Sequence, residues 1–511
     1  MMTMENNNGS DPEVAGEAQR KALVALEARA HALLSKQLWA SGAFAEAEAE
    51  LAQAIALSPD DGWRVRQSIF LPSVPASRQQ IDEVRARMEV RLQALLSEQL
   101  HIVDPVRQID WTCFLLAYHG SHGNAHLHRL FHQVCSKASP DLDWRSPYCA
   151  APRSPGRPRV GFVSWFFSDH TISRLFTGLV ERLDGDSFDV SVFAVEGNDD
   201  YLRQANLPGK RIVPLPTDLS SARLRIAQAQ LDVLVYLDLG MDPFTLFLAH
   251  ARLARMQAVL WGHPDTTGIA TIDAFLTSDA MEPDDAEEHY DEKLVRLPGI
   301  GSWIRRPIIP DDMGTAADYG LPEDALLYLC PQTPQKFHPD FDDVIRRILQ
   351  GQPAAHLVLT AGWARHAMDA VCRRILGPAP ELASRLHVLG PLDRPRFINL
   401  MRLADLLLDP PHYSGGHTTL EAFACGAPVI TWPGRHMRAR HTYGIYRLIG
   451  IMDCVAVDLD AYVELAITLG RDGKARNNLR QRIAESSDIL YEDDMVVRAF
   501  EAFLWSGMSR P

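Results

Sequence analysis

A chain of 511 residues exceeds what one hydrophobic core organises, so three domains of ordinary size are expected. Its composition, 46% hydrophobic and 23% charged, is that of a soluble globular protein, and a net charge of −14 argues against nucleic acid as a partner. Any phosphate site must therefore be local, built from a few donors.

In chain order, residues 1–17 are polar and acidic, carry no signal-peptide pattern and are expected to form a disordered tail. From 22 to about 57 the pattern is helical and Ala-rich. Gly42, Phe44, Ala47, Leu51, Ala54 and Pro59 fit the second half of a tetratricopeptide repeat. One copy cannot build the continuous core that about three provide, so it is expected to pack on its neighbours. A generic amphipathic hairpin fits nearly as well. Further helices are expected around 79–100 and 105–134, which makes 18–150 an all-α domain. The Pro- and Gly-rich stretch 150–158 reads as a linker.

After it the period changes. Short apolar runs at 159–164, 188–195, 211–215, 232–238, 257–261, 274–278 and 293–297 alternate in part with helical stretches, the signature of a parallel α/β sheet. A second series follows at 326–330, 356–360, 386–389, 406–409, 429–432 and 454–457. Between them, 308–321 carries Pro, Gly and Asp and reads as a hinge. The plan is thus two Rossmann-like domains, 157–310 and 311–511, facing a cleft. No apolar run approaches the ~20 residues of a membrane span. Seven cysteines, odd in number and without a CxxC pair, are those of a protein kept reduced in a cytoplasm. The 19 histidines show no HExxH-like spacing, so no metal is expected.

Chemistry concentrates at the ends of these strands. At 405–434 an apolar strand breaks at Pro410-Pro411, and a turn, Ser414-Gly415-Gly416-His417-Thr418-Thr419, leads into a helix stopped by Gly426-Ala-Pro428. Small residues let backbone N–H groups approach an anion, to which the helix N-terminus adds partial positive charge. Thr418 and Thr419 supply hydroxyl donors, and Glu421 can accept from a ribose hydroxyl. A plain βαβ turn would share the glycines. The order and spacing, however, resemble the donor-binding motif of the O-GlcNAc transferase family. These are inverting glycosyltransferases of GT-B architecture that also include SPINDLY-type proteins and bacterial adhesin glucosyltransferases.

Three further segments occur in that family's order, between about 157 and 475. Gln332-Thr333-Pro-Gln-Lys336 follows the first strand of the second half. The family has a Lys there that contacts the donor diphosphate, and Gln332 and Thr333 are expected in the same pocket. The segment 161–174 places His170 where the family has a His near the reacting sugar carbon. His170 is therefore the first candidate for the base, although it could equally cap the helix that begins at Thr171. Asp238, at the end of a buried strand, is the second candidate. His263-Pro264-Asp265-Thr266-Thr267 resembles a rigid loop facing the sugar or acceptor. One departure stands out: counting back from Leu403-Ala404-Asp405 puts Phe397 where eukaryotic members have a base-contacting His.

The resemblance implies an α/β GT-B fold behind a partly tetratricopeptide-like helical domain, with catalytic His170, Lys336 and Asp238. It implies metal-independent transfer of GlcNAc or a hexose from a nucleotide sugar, UDP-GlcNAc or a UDP-hexose. The acceptor would be Ser/Thr, or Asn, on a protein such as an adhesin or flagellin. No cofactor beyond the donor is implied. A GT-B sugar-nucleotide epimerase and a non-catalytic binding relative are the alternatives.

Overall fold

The computed structural model describes residues 12–507 except 154, 201, 203–206, 313 and 363. Helices Pro12–Ala40 and Phe44–Leu57 form an antiparallel hairpin across Gly42, whose φ of +83° suits a residue without Cβ. Residues 1–11 of the expected tail lie outside the described residues. Residues 12–17 are not tail but the start of the first helix. Pro at the first helical position has its φ pre-set for the helix.

The hairpin buries Ala54 and sends Ala47 and Leu51 into a small satellite core with Phe70, closed by Trp39 and Trp111 at 4.7 Å between ring centres. Four more α-helices, the short Pro105–Gln108 among them, complete the domain among the described residues. Asp60 caps Asp61–Ser68 by accepting from Trp63 N, and Ser77 caps Arg78–Ser97 by accepting from Gln80 N. Ala125–Ala138 packs on the latter and sends Leu127, Phe131 and Val134 into the main core.

The first sheet contains β1 (Arg159–Ser164), β2 (Asp189–Val195), β3 (Arg211–Leu215), β4 (Val233–Tyr236), β5 (Met256–Leu260), β6 (Ala274–Ser278) and β7 (Lys293–Leu297). Every pairing is parallel, in the order 3-2-1-4-5-6-7. Central strands such as β4, buried at every residue, are apolar on both faces because helices cover both faces of a parallel sheet. The second sheet contains β8 (Leu326–Cys330), β9 (Ala355–Thr360), β10 (Leu386–Leu389), β11 (Leu406–Leu408) and β12 (Val429–Ile430), again all parallel, in the order 10-9-8-11-12. In both sheets the order reverses beside the first strand, which opens a crevice at the strands' carboxyl ends.

Two boundaries differ from the expected ones. The run 454–457 is not a strand: only a single bridge, Thr431 to Val455, continues the sheet beyond β12. The final helix, Asp494–Gly507, follows the second domain in sequence but packs on the first. Phe500 lies 6.1 Å from Phe162, Trp505 lies 5.3 Å from Phe188, and Trp303 Nε1 donates to Asp494. An amphipathic helix settles on whichever face buries its stripe, and here that face belongs to the other half of the chain.

Candidate active site

Lys336 closes the short 3₁₀ turn Pro334–Lys336 after β8. Its Nζ donates to Gln332 Oε1 at 2.8 Å and to the Ser414 carbonyl at 3.1 Å, and lies 4.8 Å from the Tyr413 ring centre. Gln332 turns its other end, Nε2, to Thr418 Oγ1 at 2.7 Å. One buried amide thus joins the loop after β8 to the turn after β11. Burial pulls the Lys336 amine down to about 8, against the opposing pull of the Asp409 carboxylate.

The turn is compact because Gly415 has no room for a side chain. A Cβ on Gly415 would stand 2.6 Å from Gln332 Nε2 and 2.8 Å from Thr418 Oγ1. One on Gly416 would be 3.7 Å from the Trp261 ring, so the first domain lies directly across the cleft from the turn. Beneath the turn, Asp409 Oδ1 accepts from Gly415 N (2.6 Å), and Oδ2 accepts from Ser414 Oγ (2.6 Å) and Thr431 Oγ1 (2.7 Å).

The structure brings together Gln332, Lys336, Gly415, Gly416 and Thr418, and reassigns their neighbours. Thr333 is exposed at the mouth of the loop. Thr419 is buried, donates to the Gly415 carbonyl at 2.7 Å and meets Thr442 at 2.8 Å, so its hydroxyl is used within the turn. His417 opens the helix His417–Ala424, and its Nδ1 sits 3.1 Å from Glu421 Oε1 one turn on. Arg394, at the start of the helix Arg394–Leu403, pairs with the same oxygen. Burial alone would raise the Glu421 carboxyl, but His417 and Arg394 outweigh it and hold the group below its usual range. Glu421 is therefore tied to His417 and Arg394 rather than standing open for a ribose hydroxyl. Phe397 lies on the Arg394–Leu403 helix, half-buried against the core.

On the other side of the cleft the expected residues are less available. His170 is the N-cap of the helix Thr171–Arg182: Ile172 N donates to its Nδ1 at 3.2 Å, and its ring stacks on Phe166 at 4.4 Å. Burial, and then Arg174, lower its pKa. Asp238 is 0% exposed and accepts from Ser164 Oγ at 2.8 Å, and burial, with Asp242 second, pushes its carboxyl well up.

The loop 263–268 is not an open sugar-facing surface either. Thr266 Oγ1 donates to Glu292 at 2.7 Å, and Thr267 gives Glu292 both its N–H, at 2.7 Å, and its hydroxyl. His263 and Pro264 are buried, and burial lowers the His263 ring to about 4. Asp265 accepts from Asn124 Nδ2 at 2.6 Å and pairs with Arg438 at 3.2 Å. Arg438 in turn donates to the carbonyls of Gly120 and His122, so one guanidinium links all three domains. The sheet twist delivers these motifs to one place. A Cβ on Gly262 would meet the Leu237 carbonyl at 2.1 Å and Ile172 at 2.8 Å, so only Gly lets the three strand ends converge.

Asp409, Ser414, Thr442, Arg394 and Arg438 were not singled out by sequence. An acid ending a buried strand just before Pro-Pro and a small-residue turn was the available signal for Asp409. Among the described residues one group has the composition of a metal site: His338, Asp340 and His412, with ligand atoms within 4.8 Å of one another. Asp340 there also pairs with Arg78 of the helical domain, and its backbone N donates to His338 Nδ1, which caps the helix Pro339–Gly351. A guanidinium already supplies the positive charge at that carboxylate. No helix among the described residues is long and apolar enough to cross a membrane.

The sequence profile of glycosyl transferase family 41 matches residues 308–492, the span that contains Gln332, Lys336 and the 415–421 turn. The chain is 25% identical over 327 residues to a probable UDP-N-acetylglucosamine–peptide N-acetylglucosaminyltransferase, SEC, of Arabidopsis thaliana, covering 61% of this chain and 33% of that protein. It is 23% identical over 256 residues to the UDP-glucose:protein N-β-glucosyltransferase of Actinobacillus pleuropneumoniae, covering 49% and 40%. The chain thus spans well under half the length of either relative. A mutant O-GlcNAc transferase of Thermobaculum terrenum superposes with a TM-score of 0.71 over 97% of this chain and 96% of that one, at 21% identity. That likeness gives the fold: a helical domain followed by two Rossmann-like halves arranged as in that enzyme.

Proposed function

We propose, from the premise that this chain is a relative of the O-GlcNAc transferases and carries the family 41 domain over residues 308–492, that it is an inverting protein glycosyltransferase. The donor is a nucleotide sugar, UDP-linked, carrying GlcNAc or a hexose. The acceptor is a protein side chain, Ser/Thr or Asn, and the reaction takes place in the cytoplasm.

The observation that carries this reading is the position of Lys336 beside the Gly415-Gly416 turn, at the carboxyl ends of β8 and β11. As the sugar's bond to the diphosphate breaks, negative charge grows on the leaving phosphate. A fixed ammonium, the Thr418 hydroxyl and the N–H groups opening the His417–Ala424 helix are the donors placed to meet it. With that charge met by protein groups, no metal is required. Gln332 orients both Lys336 and Thr418, so the cation and the hydroxyl move as one unit. The helical domain packed over the first half would present the acceptor; an epimerase would have no use for it.

The test is release of free nucleotide from a panel of UDP-, GDP- and ADP-linked sugars, with and without excess EDTA. UDP-sugars should be turned over and EDTA should change nothing. Absence of release from every sugar nucleotide would overturn the reading. Loss in EDTA that Mn²⁺ or Mg²⁺ restores would overturn the metal-free mechanism.

A further inference from the structure

Asp409 is 3% exposed and directly follows β11, below the proposed diphosphate turn. Its carboxylate accepts three hydrogen bonds and donates none, from Ser414 Oγ, Gly415 N and Thr431 Oγ1. That pattern and Lys336 favour the ionised form, against burial, which raises the carboxyl above its ordinary value. The donors come from the entrance of the turn, its first glycine and the end of the neighbouring strand, so one side chain fixes the loop at three points. Asp409 also acts on Lys336, which reaches over the same turn to the Ser414 carbonyl.

The other titratable groups around this pair carry no compensating charge. Burial pushes the Cys330 thiol and the Tyr446 and Tyr462 phenols well up, and it lowers His441, on the far side of Lys336, to about 3. All four are neutral near pH 7. Tyr462 uses its hydroxyl on the Asp409 carbonyl at 3.1 Å, and Tyr413 offers Lys336 only its ring face.

We propose that Asp409 is a positioning residue for donor turnover: its carboxylate clamps the Ser414-Gly415 turn in the shape that receives a diphosphate and keeps Lys336 charged. This rests on the diphosphate reading given above. It goes beyond that reading by making a residue that never touches the donor control the pH range in which the donor binds.

The logic of the test is direct. Anion binding needs protonated Lys336, so affinity is full below the amine's pKa and falls about tenfold per pH unit above it. Removing the Asp409 carboxylate takes away the main pull that opposes burial, so the amine's pKa should fall. The experiment titrates the full chain with UDP, and separately with inorganic pyrophosphate, by calorimetry between pH 6 and 9.5, with circular dichroism to confirm folding. Wild type should lose affinity above about pH 8. Asp409→Asn should bind at least about tenfold more weakly at pH 7.5, with its alkaline limb moved down by about one unit or more. Thr431→Val removes one clamp bond and leaves the charge, so affinity should fall severalfold with the limb in place.

A folded Asp409→Asn protein whose limb coincides with wild type would overturn the inference while leaving the diphosphate site standing. Were that variant unfolded, wild-type affinity in Thr431→Val would overturn the clamp in its place. A wild-type chain that binds neither UDP nor pyrophosphate at any pH overturns the diphosphate reading itself, and the inference with it.

Discussion

The loop 263–268 after β5 and the turn 410–419 after β11 are both short segments rich in Gly, Pro, Thr and His, at the carboxyl end of a buried parallel strand. In the first, every hydroxyl is spent. Thr266 and Thr267 are drawn onto Glu292, and Asp265 is held by Asn124 and Arg438. The helical domain presses from above, so a Cβ on Gly268 would meet His128 at 2.7 Å. In the second, the carboxylate lies underneath. Asp409 takes the inward-facing donors and leaves Thr418 and Lys336 to Gln332, with Lys336 also against the Ser414 carbonyl and the Tyr413 ring. The position of the acid decides the outcome. An acid across the mouth of a turn staples it shut, and one beneath it props the turn open towards an anion.

The stapled side should break first. Arg438→Met leaves the Asp265 carboxylate, 5% exposed, without the guanidinium that now offsets its burial. Breaking one partner out of a buried pair typically costs about 3–5 kcal/mol, whereas removing both charges is far milder. The single variant should therefore melt well below wild type, and Arg438→Met combined with Asp265→Asn should recover part of the loss. A single variant as stable as wild type would mean that the three-domain contact carries no stability.

The propped side should fail in function and not in folding. Lys336→Ala is expected to slow donor turnover about a hundredfold, the effect of removing one preorganised donor to a developing charge, roughly 3 kcal/mol in the barrier. Its unfolding curve should stay close to that of wild type. A smaller pair of substitutions sharpens the contrast. Thr267→Val leaves Glu292 short of a partner and should cost about 1–3 kcal/mol of stability with UDP affinity unchanged. Thr418→Val should do the reverse, weakening UDP severalfold with no change in unfolding. Effects in the opposite order would mean that the roles of the two turns are exchanged.

Most of the scaffold was legible because apolar runs in a parallel sheet are buried on both faces and bounded by turn residues. β1, β3, β6, β7 and β8 coincide with the runs read from sequence. Residues 454–457 have the same character, but only Val455 finds a partner, Thr431, beyond a strand two residues long. Pairing depends on a neighbour that the run itself does not encode. The final helix failed in the same way, since its amphipathic stripe does not say which domain it covers. The convergence of Lys336, Gln332 and Gly415 could be read because each lies just after a strand end that the apolar runs mark. Glu421 could not, because Arg394 reaches it from another helix. The closure of Thr266 and Thr267 onto Glu292 could not be read, because that partner lies 26 and 25 residues further on.

His170 allows a finer test, since one ring could serve either as a cap or as a base. A neutral imidazole has one lone pair to offer. Here Nδ1 accepts from Ile172 N, so Nε2 carries the proton and has none to take from an acceptor hydroxyl. Asn, which caps helices well, preserves this bond and cannot act as a base near neutrality. Acting as a cap alone, His170→Asn should keep turnover within a few-fold of wild type, whereas loss of a general base costs about 10²–10⁴. Stability adds a second readout. The folded pKa of His170 lies below its ordinary value, with burial the main cause. As pH falls through about 6.5 the unfolded chain therefore takes up its proton first, and the cap's contribution, present above that pH and about 1 kcal/mol in size, declines. His170→Asn should remove that share of the acid sensitivity and leave stability at pH 8 nearly unchanged. A variant that melts like wild type at every pH yet turns over a thousandfold more slowly would show that the ring leaves its cap during the reaction and works as the base after all.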